Sequence, residues 1–352
     1  MDRKEVLYGL DLEEAQATIK KMGEPAYRAP QILEWLYQRH AVTWEEFSNL
    51  PKSLLERLRF EFGLKSLSLQ EDRLSPHGQS TKFLFETQDQ HLLESVLITQ
   101  RDRLTVCVST QLGCKMKCVF CASGKSFARS LTAGEIVEQV AWIERSLRAK
   151  RSNPARCVTN IVFMGMGEPL DNFEATLKAI RILQADWGFG LGGRRITVST
   201  VGITPKIEEF VRKTDGRVRL SVSLHSSDEK TRSKLVPVNR RYSLKALTKT
   251  LNELHRKLKR EITFEYTVME GVNDSPEEAL GVVRIARPLG AKINLIPYNP
   301  IREGGFKRPS VRKVEAFSGL LKKHGLRVTV RQTAGRDIDA ACGQLRLDRE
   351  GR

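Results

Sequence analysis

Over residues 1–62 apolar positions recur at spacings of three and four, in DLEEAQATIKKMG, YRAPQILEWLYQ and TWEEFSNLPKSLLERLRFEF. That is the period of amphipathic helices, so a small helical accessory module is predicted there. Gly23 is placed to stop the first helix, and Pro25, Pro30 and Pro51 punctuate the rest. From Leu64 to Ile98 the pattern changes to near-alternation, as in TKFLFET and HLLESVLIT, predicting a β-hairpin connector over residues 63–99. Beyond it, apolar β-rich runs alternate with amphipathic helical runs: LTVCVS, VTNIVFMG, RITVST, VRLSVSLH, ITFEYTVM, KINLIP and LRVTV. Thr132 with Glu135, and Ser275 with Glu278, have capping-box spacing at helix starts between them. About six such units over residues 100–330 predict an α/β fold, a partial (β/α)6 barrel, with its site at the C-terminal ends of the strands. Residues 331–352 lack apolar periodicity, which predicts a mobile loop or tail.

Charge adds a partner to this picture. Lysine and arginine outnumber aspartate and glutamate 59 to 42, a formal +17, which is the footprint of a polyanion binder such as RNA or DNA. The basic runs RSLRAKRSNPAR, KTRSKLVPVNRRY, HRKLKR and REGGFKRPSVRK suggest a phosphate-contacting face rather than scattered solvated charge. The opening MDRKEVLYGLDLEE is charged where a signal peptide is apolar, and no stretch approaches membrane-spanning length. A cytoplasmic monomer with no membrane contact is expected. Six cysteines in 352 residues do not make a disulfide framework, and three of them crowd into Cys114–Cys121.

Cys114, Cys118 and Cys121 have the spacing C-x3-C-x2-C and follow the strand LTVCVS closely, where a strand-to-helix loop opens the site. Three thiolates can hold three irons of a [4Fe-4S] cubane and leave the fourth iron free for another ligand. A structural zinc knot wants four ligands, and no fourth Cys or His lies at ligand spacing after the motif. A buried helix face is the third reading, since the positions are i, i+4 and i+7. Downstream, Met164–Pro169 (MGMGEP) ends an apolar strand with glycines that let the backbone approach a ligand. Ser199, Ser223-Leu224-His225 and Asn299 fall at later strand ends, where helix capping is the ordinary alternative to ligand contact. Glu94 interrupts the apolar run HLLESVLI, so its carboxylate either titrates high or finds a partner, unless it faces solvent. Cys107 reads as a small core residue, Cys157 as structural, and Cys342, in the small-residue stretch AACG, as an incidental thiol.

The cysteine motif, with an aromatic before its last member, resembles the signature of radical S-adenosylmethionine (SAM) enzymes. Together with FMGMGEPLDN, ITVSTVG, SLHSSDEKTR, INLIPYNP and AACGQL, the chain from 113 to 345 resembles the RlmN/Cfr family of RNA adenine methyltransferases. The helical N-terminus resembles the accessory module of the same family. The resemblance implies a radical SAM barrel with a [4Fe-4S] cluster on Cys114, Cys118 and Cys121, and SAM against Gly167, Glu168, Ser199, Ser223, Leu224, His225 and Asn299. It implies that Cys342 is the methyl carrier, Glu94 the proton acceptor and Cys107 the resolving thiol, which forms a transient disulfide with Cys342.

The C2 carbon of adenine is not nucleophilic, so polar transfer from SAM cannot methylate it. In the chemistry the resemblance implies, one SAM methylates Cys342 and a second is cleaved at the cluster to a radical that takes hydrogen from that methyl group. The methylene radical adds to C2, Glu94 removes the proton and Cys107 attacks the Cys342 sulfur to release the product. The implied partners are 23S rRNA at the peptidyl-transferase region, tRNA at the adenosine 3′ to the anticodon, and an external electron donor. Methylation at C8, as in Cfr, is the alternative within the family; a non-catalytic iron–sulfur RNA-binding protein is the alternative outside it.

Overall fold

The computed structural model describes residues 4–76, 78–150, 157–258, 261–301, 305–331, 335 and 338–345. Short strands β1 (Glu5–Val6) and β2 (Phe62–Gly63) pair in parallel and tie together the two ends of the helical module. Helix α1 (Leu12–Lys21) starts on a capping box: Asp11 accepts from the Glu14 N–H at 3.0 Å while Glu14 accepts from the Asp11 N–H at 2.9 Å. Helix α2 (Arg28–Leu33) carries Pro30 in its first turn, where no intrahelical N–H is needed, and runs into a π-helical turn at Glu34–Gln38. The run beginning at Thr43 reads as one helix, but Pro51 divides it into a 3-10 turn at Trp44–Glu46 and α3 (Lys52–Glu61). The module docks through Tyr37, which is buried against Trp187 and Phe189 at ring distances of 6.0 and 6.1 Å.

Strands β3 (Leu67–Leu74), β4 (Ser80–Thr87), β5 (Leu92–Gln100) and β6 (Arg103–Val108) follow as antiparallel neighbours. They belong to the main sheet itself. A two-stranded ribbon, β7 (Gln111–Gly113) with β8 (Phe127–Ser130), precedes α4 (Ala133–Ala149). The chain then alternates: β9 (Asn160–Phe163), α5 (Phe173–Gln184), β10 (Ile196–Thr200), α6 (Thr204–Lys213), β11 (Arg219–Ser223), α7 (Glu229–Leu235) and α8 (Leu244–Leu258). It ends with β12 (Ile262–Val268), α9 (Pro276–Ala286), β13 (Lys292–Pro297), α10 (Val311–Lys323) and β14 (Arg327–Val330). The ten-stranded sheet has the order β14-β13-β12-β11-β10-β9-β6-β5-β4-β3, and from β6 to β14 every pairing is parallel.

Alternation within each parallel strand separates core from site. In β10, Ile196 and Val198 are fully buried beneath the helices, each worth about 1.5–3 kcal/mol of apolar burial, while Thr197 and Ser199 face the inside of the curved sheet and are half-buried. The inner face is therefore polar. In the interior, Ser221 donates to one Glu265 oxygen and Asn294 to the other, both at 2.6 Å, and Thr329 donates to Asn294 at 3.1 Å. Among the described residues no helix is long and apolar enough to cross a membrane.

Candidate active site

A cleft lies at the C-terminal ends of the parallel strands, lined by Cys114, Cys118, Cys121, Gly167, Glu168, Ser199, Ser223, His225, Glu265 and Cys342, among others. The β7–β8 ribbon pins the two ends of the cysteine loop, and the Cys114 N–H donates across its neck to Ser126 O at 2.9 Å. Lys117 takes a left-handed φ of 55°, which turns the chain between the first two thiols. Burial pushes all three thiols up, Cys114 to about 12, and neighbouring thiolates add to the rise at Cys114 and Cys118. Such a set is held best by a cation or cluster that takes the thiolates. The donor set fits an iron–sulfur cluster: three thiols from one loop, Cys118 buried and Cys114 and Cys121 half-buried, face one cleft. Among the described residues no three His, Cys, Asp or Glu side chains are gathered as they would be round a single metal ion.

Opposite the cysteines, Gly167 has a φ of +101°, and a Cβ there would lie 2.6 Å from Gln111 Cβ, so the strand end accepts only glycine and leaves its backbone open to the cleft. Glu168 is buried, accepts from the Val201 N–H at 2.9 Å and the Leu170 N–H at 3.0 Å, and is pushed up to about 7 by desolvation. His225 sits at a left-handed φ of 57°, held by the Thr267 N–H donating to its Nδ1 at 3.0 Å and by Asn273 donating to its carbonyl at 2.7 Å. With Nδ1 accepting, the proton belongs on Nε2; burial draws the imidazole down to about 3, so it is neutral. Ser199 and Ser223 line the cleft; the Leu224 side chain is buried in the core, leaving only its backbone to offer.

Asn299, a SAM contact in the reading the resemblance implies, is buried and braces the segment that carries Cys342. Its Nδ2 donates to the Cys342 carbonyl at 3.2 Å, and its Oδ1 accepts from Arg308 at 2.9 Å. The described segment around Cys342 has further hydrogen-bond partners. Ala122 N–H donates to Gly343 O at 2.8 Å, Ser123 Oγ to Leu345 O at 2.6 Å and Gln344 Nε2 to Pro300 O at 3.2 Å, so it is stitched to the cysteine loop and the end of β13. Cys342 is exposed yet lines the cleft, as expected of a thiol at its mouth.

Cys107 is buried on β6. Burial pushes its thiol up to about 12, with Arg331 drawing it back and the Cys342 thiolate near enough to push it further. All six cysteines are free thiols, so the disulfide between Cys107 and Cys342 is no resting feature of the chain. Register brings in Glu94: Val96 is opposite Cys107, so Glu94, two residues away, shares the face of Cys107. Glu94 is buried and forms an ion pair with Lys82 at 3.0 Å, side chains 10% and 16% exposed. Sequence reading missed Lys82, Glu265, Arg331 and the buried Arg232. Glu265 alone left a signal, as a carboxylate interrupting the apolar run ITFEYTV.

A partly open parallel barrel with three loop thiols and a glycine-edged cleft at its strand ends is the architecture of a radical SAM enzyme, and residues 108–283 match the Radical SAM superfamily. Residues 6–62 match the ribosomal RNA large subunit methyltransferase N-terminal domain. The probable dual-specificity RNA methyltransferase RlmN 3 of Opitutus terrae is 43% identical over 99% of this chain and 96% of its own. The dual-specificity RNA methyltransferase RlmN of Marinobacter nauticus is 40% identical over 96% of this chain and 92% of its own. The crystal structure of a radical SAM methyltransferase from Sphaerobacter thermophilus superposes with a TM-score of 0.93 at 42% identity, covering 97% of this chain and 99% of that one. The chain belongs to the RlmN family of radical SAM RNA methyltransferases, and its activity is that of a transferase.

Proposed function

We propose that this enzyme methylates C2 of adenosine in RNA, in the peptidyl-transferase region of 23S rRNA and 3′ to the anticodon in tRNA, by way of a methylated Cys342 and two SAM per turnover. The observation that carries this reading is that Cys342, 221 positions from Cys121 in the chain, lines the same cleft as the three motif cysteines with Cys107 in electrostatic reach. Cys114, Cys118 and Cys121 would hold the cluster, and Gly167, Glu168, Ser199, Ser223, His225 and the Leu224 backbone would border SAM. When bound, these groups supply the electron and the radical that a non-nucleophilic carbon requires.

The chain's own residues do the rest. Cys342 carries the methyl-derived carbon on sulfur and links it to the base. Glu94, held by Lys82, takes the C2 proton, and the unpaired electron of the adduct would return to the cluster that supplied it. The Cys107 thiolate attacks the Cys342 sulfur; an S–S bond forms, the carbon–sulfur bond breaks, and the released carbon keeps the electron pair and takes a proton. An external donor supplies the electron for SAM cleavage, a thiol or dithiol reductant returns the Cys107–Cys342 disulfide to two thiols, and the reaction is assigned to the cytoplasm.

Anaerobic reconstitution, followed by mass mapping of rRNA and tRNA substrates, tests this. About four irons per chain, 5′-deoxyadenosine and C2-methyladenosine are expected. C8-methyladenosine would overturn the regiochemistry, and stoichiometric zinc in place of iron would overturn the cluster.

A further inference from the structure

Arg232, on α7, is wholly buried, and among the described residues every atom it bonds is a neutral oxygen. Its Nε donates to Leu224 O at 3.0 Å, one terminal nitrogen to Val201 O at 2.8 Å and Ser223 O at 2.9 Å, and the other to Asn239 Oδ1. Among the described residues no carboxylate forms an ion pair with it. Carbonyls replace the hydrogen bonds that water gave the guanidinium, but they do not neutralise its charge, and buried charges in proteins are normally paired. An unpaired interior cation therefore points to an anion that arrives later.

Its position says which anion. One turn further along α7, Leu235 O accepts from the Val119 N–H at 3.1 Å, and Leu235 and Val236 pack with Cys118 in one apolar cluster. Val201 and Ser223, whose carbonyls Arg232 holds, both line the cleft. Burial draws the guanidinium down to about 10, and the Cys118 thiolate acts on it more strongly than Glu229, the one carboxylate that does. Three thiolates outweigh the positive charge of a four-iron core, and reduction adds a further negative charge.

We infer that Arg232 is the buried counter-charge of the iron–sulfur cluster, favouring its reduced state while strapping the strand ends that border SAM. This rests on the cluster assignment above. Arg232 is a positioning and redox-tuning residue; it touches no reacting atom.

The test is the cluster's midpoint potential, measured by redox titration with electron paramagnetic resonance on anaerobically reconstituted full-length enzyme without SAM. Arg232→Gln should retain the iron content of the wild type, while its reduced-to-oxidised ratio at a fixed potential falls about tenfold, a shift of 59 mV for one electron. Arg232→Lys keeps the charge and should recover most of the difference. Asn239→Asp leaves Arg232 in place and gives it an internal anion, so it should shift the potential in the same direction. That variant decides the matter if Arg232→Gln does not fold. Full iron with an unchanged potential in the folded variants would make Arg232 a strap alone. A wild type that binds no iron would sink the cluster assignment instead.

Discussion

Cys107 and Cys342 come from distant parts of the chain, yet the charge of one reaches the other, and the proposed chemistry gives them opposite tasks. Their substitutions should therefore fail differently. Cys342→Ala removes the carrier, so neither methylated cysteine nor a protein–RNA adduct should form. Cys107→Ala keeps the carrier but lacks the thiolate that opens the adduct, and enzyme should accumulate on RNA through Cys342. Denaturing gels with labelled RNA and peptide mass spectrometry read both outcomes; normal turnover by either variant would sink the assignment. The burial that pushes Cys107 up to about 12 adds a pH signature. Only the thiolate attacks sulfur, and its fraction rises about tenfold per pH unit below the pKa. Release from a preformed adduct should thus accelerate roughly tenfold between pH 7 and 8 in single-turnover assays. A flat profile would mean that Cys107 is not the attacking group.

At the scale of elements, what could be read in the chain followed local periodicity. The runs VTNIVFMG, RITVST, VRLSVSLH, ITFEYTVM, KINLIP and LRVTV contain β9 to β14, LTVCVS covers all of β6 but its first residue, and Thr132 and Ser275 cap the helices expected of them. What could not be read depended on register or on burial. Lys82 reaches Glu94 only because β4 is aligned antiparallel to β5, and Arg232 sits in a run, KTRSKL, whose composition suits a solvated surface. Asn299 can be read as a strand-end ligand contact, but its bond to a carbonyl of the Cys342 segment, 43 positions away, could not be read. Helix α4 holds another such residue. Glu138 accepts from Ser66 N–H, Ser66 Oγ and Leu67 N–H at 2.8, 2.6 and 3.0 Å, fastening the start of β3 to the barrel helix. Burial raises its pKa from 4.5 to about 7, so the folded chain holds this proton more tightly than the unfolded chain does. Its pH-linked contribution to stability is full below pH 4.5 and is lost as pH rises through 7. Glu138→Gln cannot titrate and should lose less stability than the wild type across that interval in urea unfolding. Parallel curves would show that Glu138 does not titrate there.

For the molecule as a whole, the +17 charge means little until the cations used up inside the fold are set aside. Arg129 is bound between Asp89 and Glu135 at 2.7 Å each, and Arg145 holds Glu46 at 2.6 Å. In the basic run at 145–156, Arg148 pairs with the buried Glu144 at 3.0 Å and donates to Gln38 O at 2.8 Å, while residues 151–156 lie outside the described structure. Glu144 in turn holds the Cys157 and Val158 N–H groups, so Arg148 is part of the scaffold rather than free for phosphate. The run at 230–242 differs: Lys230, Lys234, Arg240 and Arg241 are exposed, and among the described residues none forms an ion pair. They lie on α7 and the turn after it, past the β11 end that borders the cleft, where RNA entering toward Cys342 would meet them. Each phosphate neutralised releases counterions and steepens the fall of affinity with salt by about 0.7–0.9 in log–log slope. Reversing Lys234, Arg240 and Arg241 to glutamate should therefore weaken RNA binding and flatten the salt dependence by about 2–3 units, leaving SAM binding unchanged. Arg148→Glu should instead lower the thermal midpoint and leave the slope as it was. Filter binding across a salt series, run beside a thermal melt of each variant, separates the two; an unaltered slope in the triple variant would place the RNA face elsewhere on the molecule.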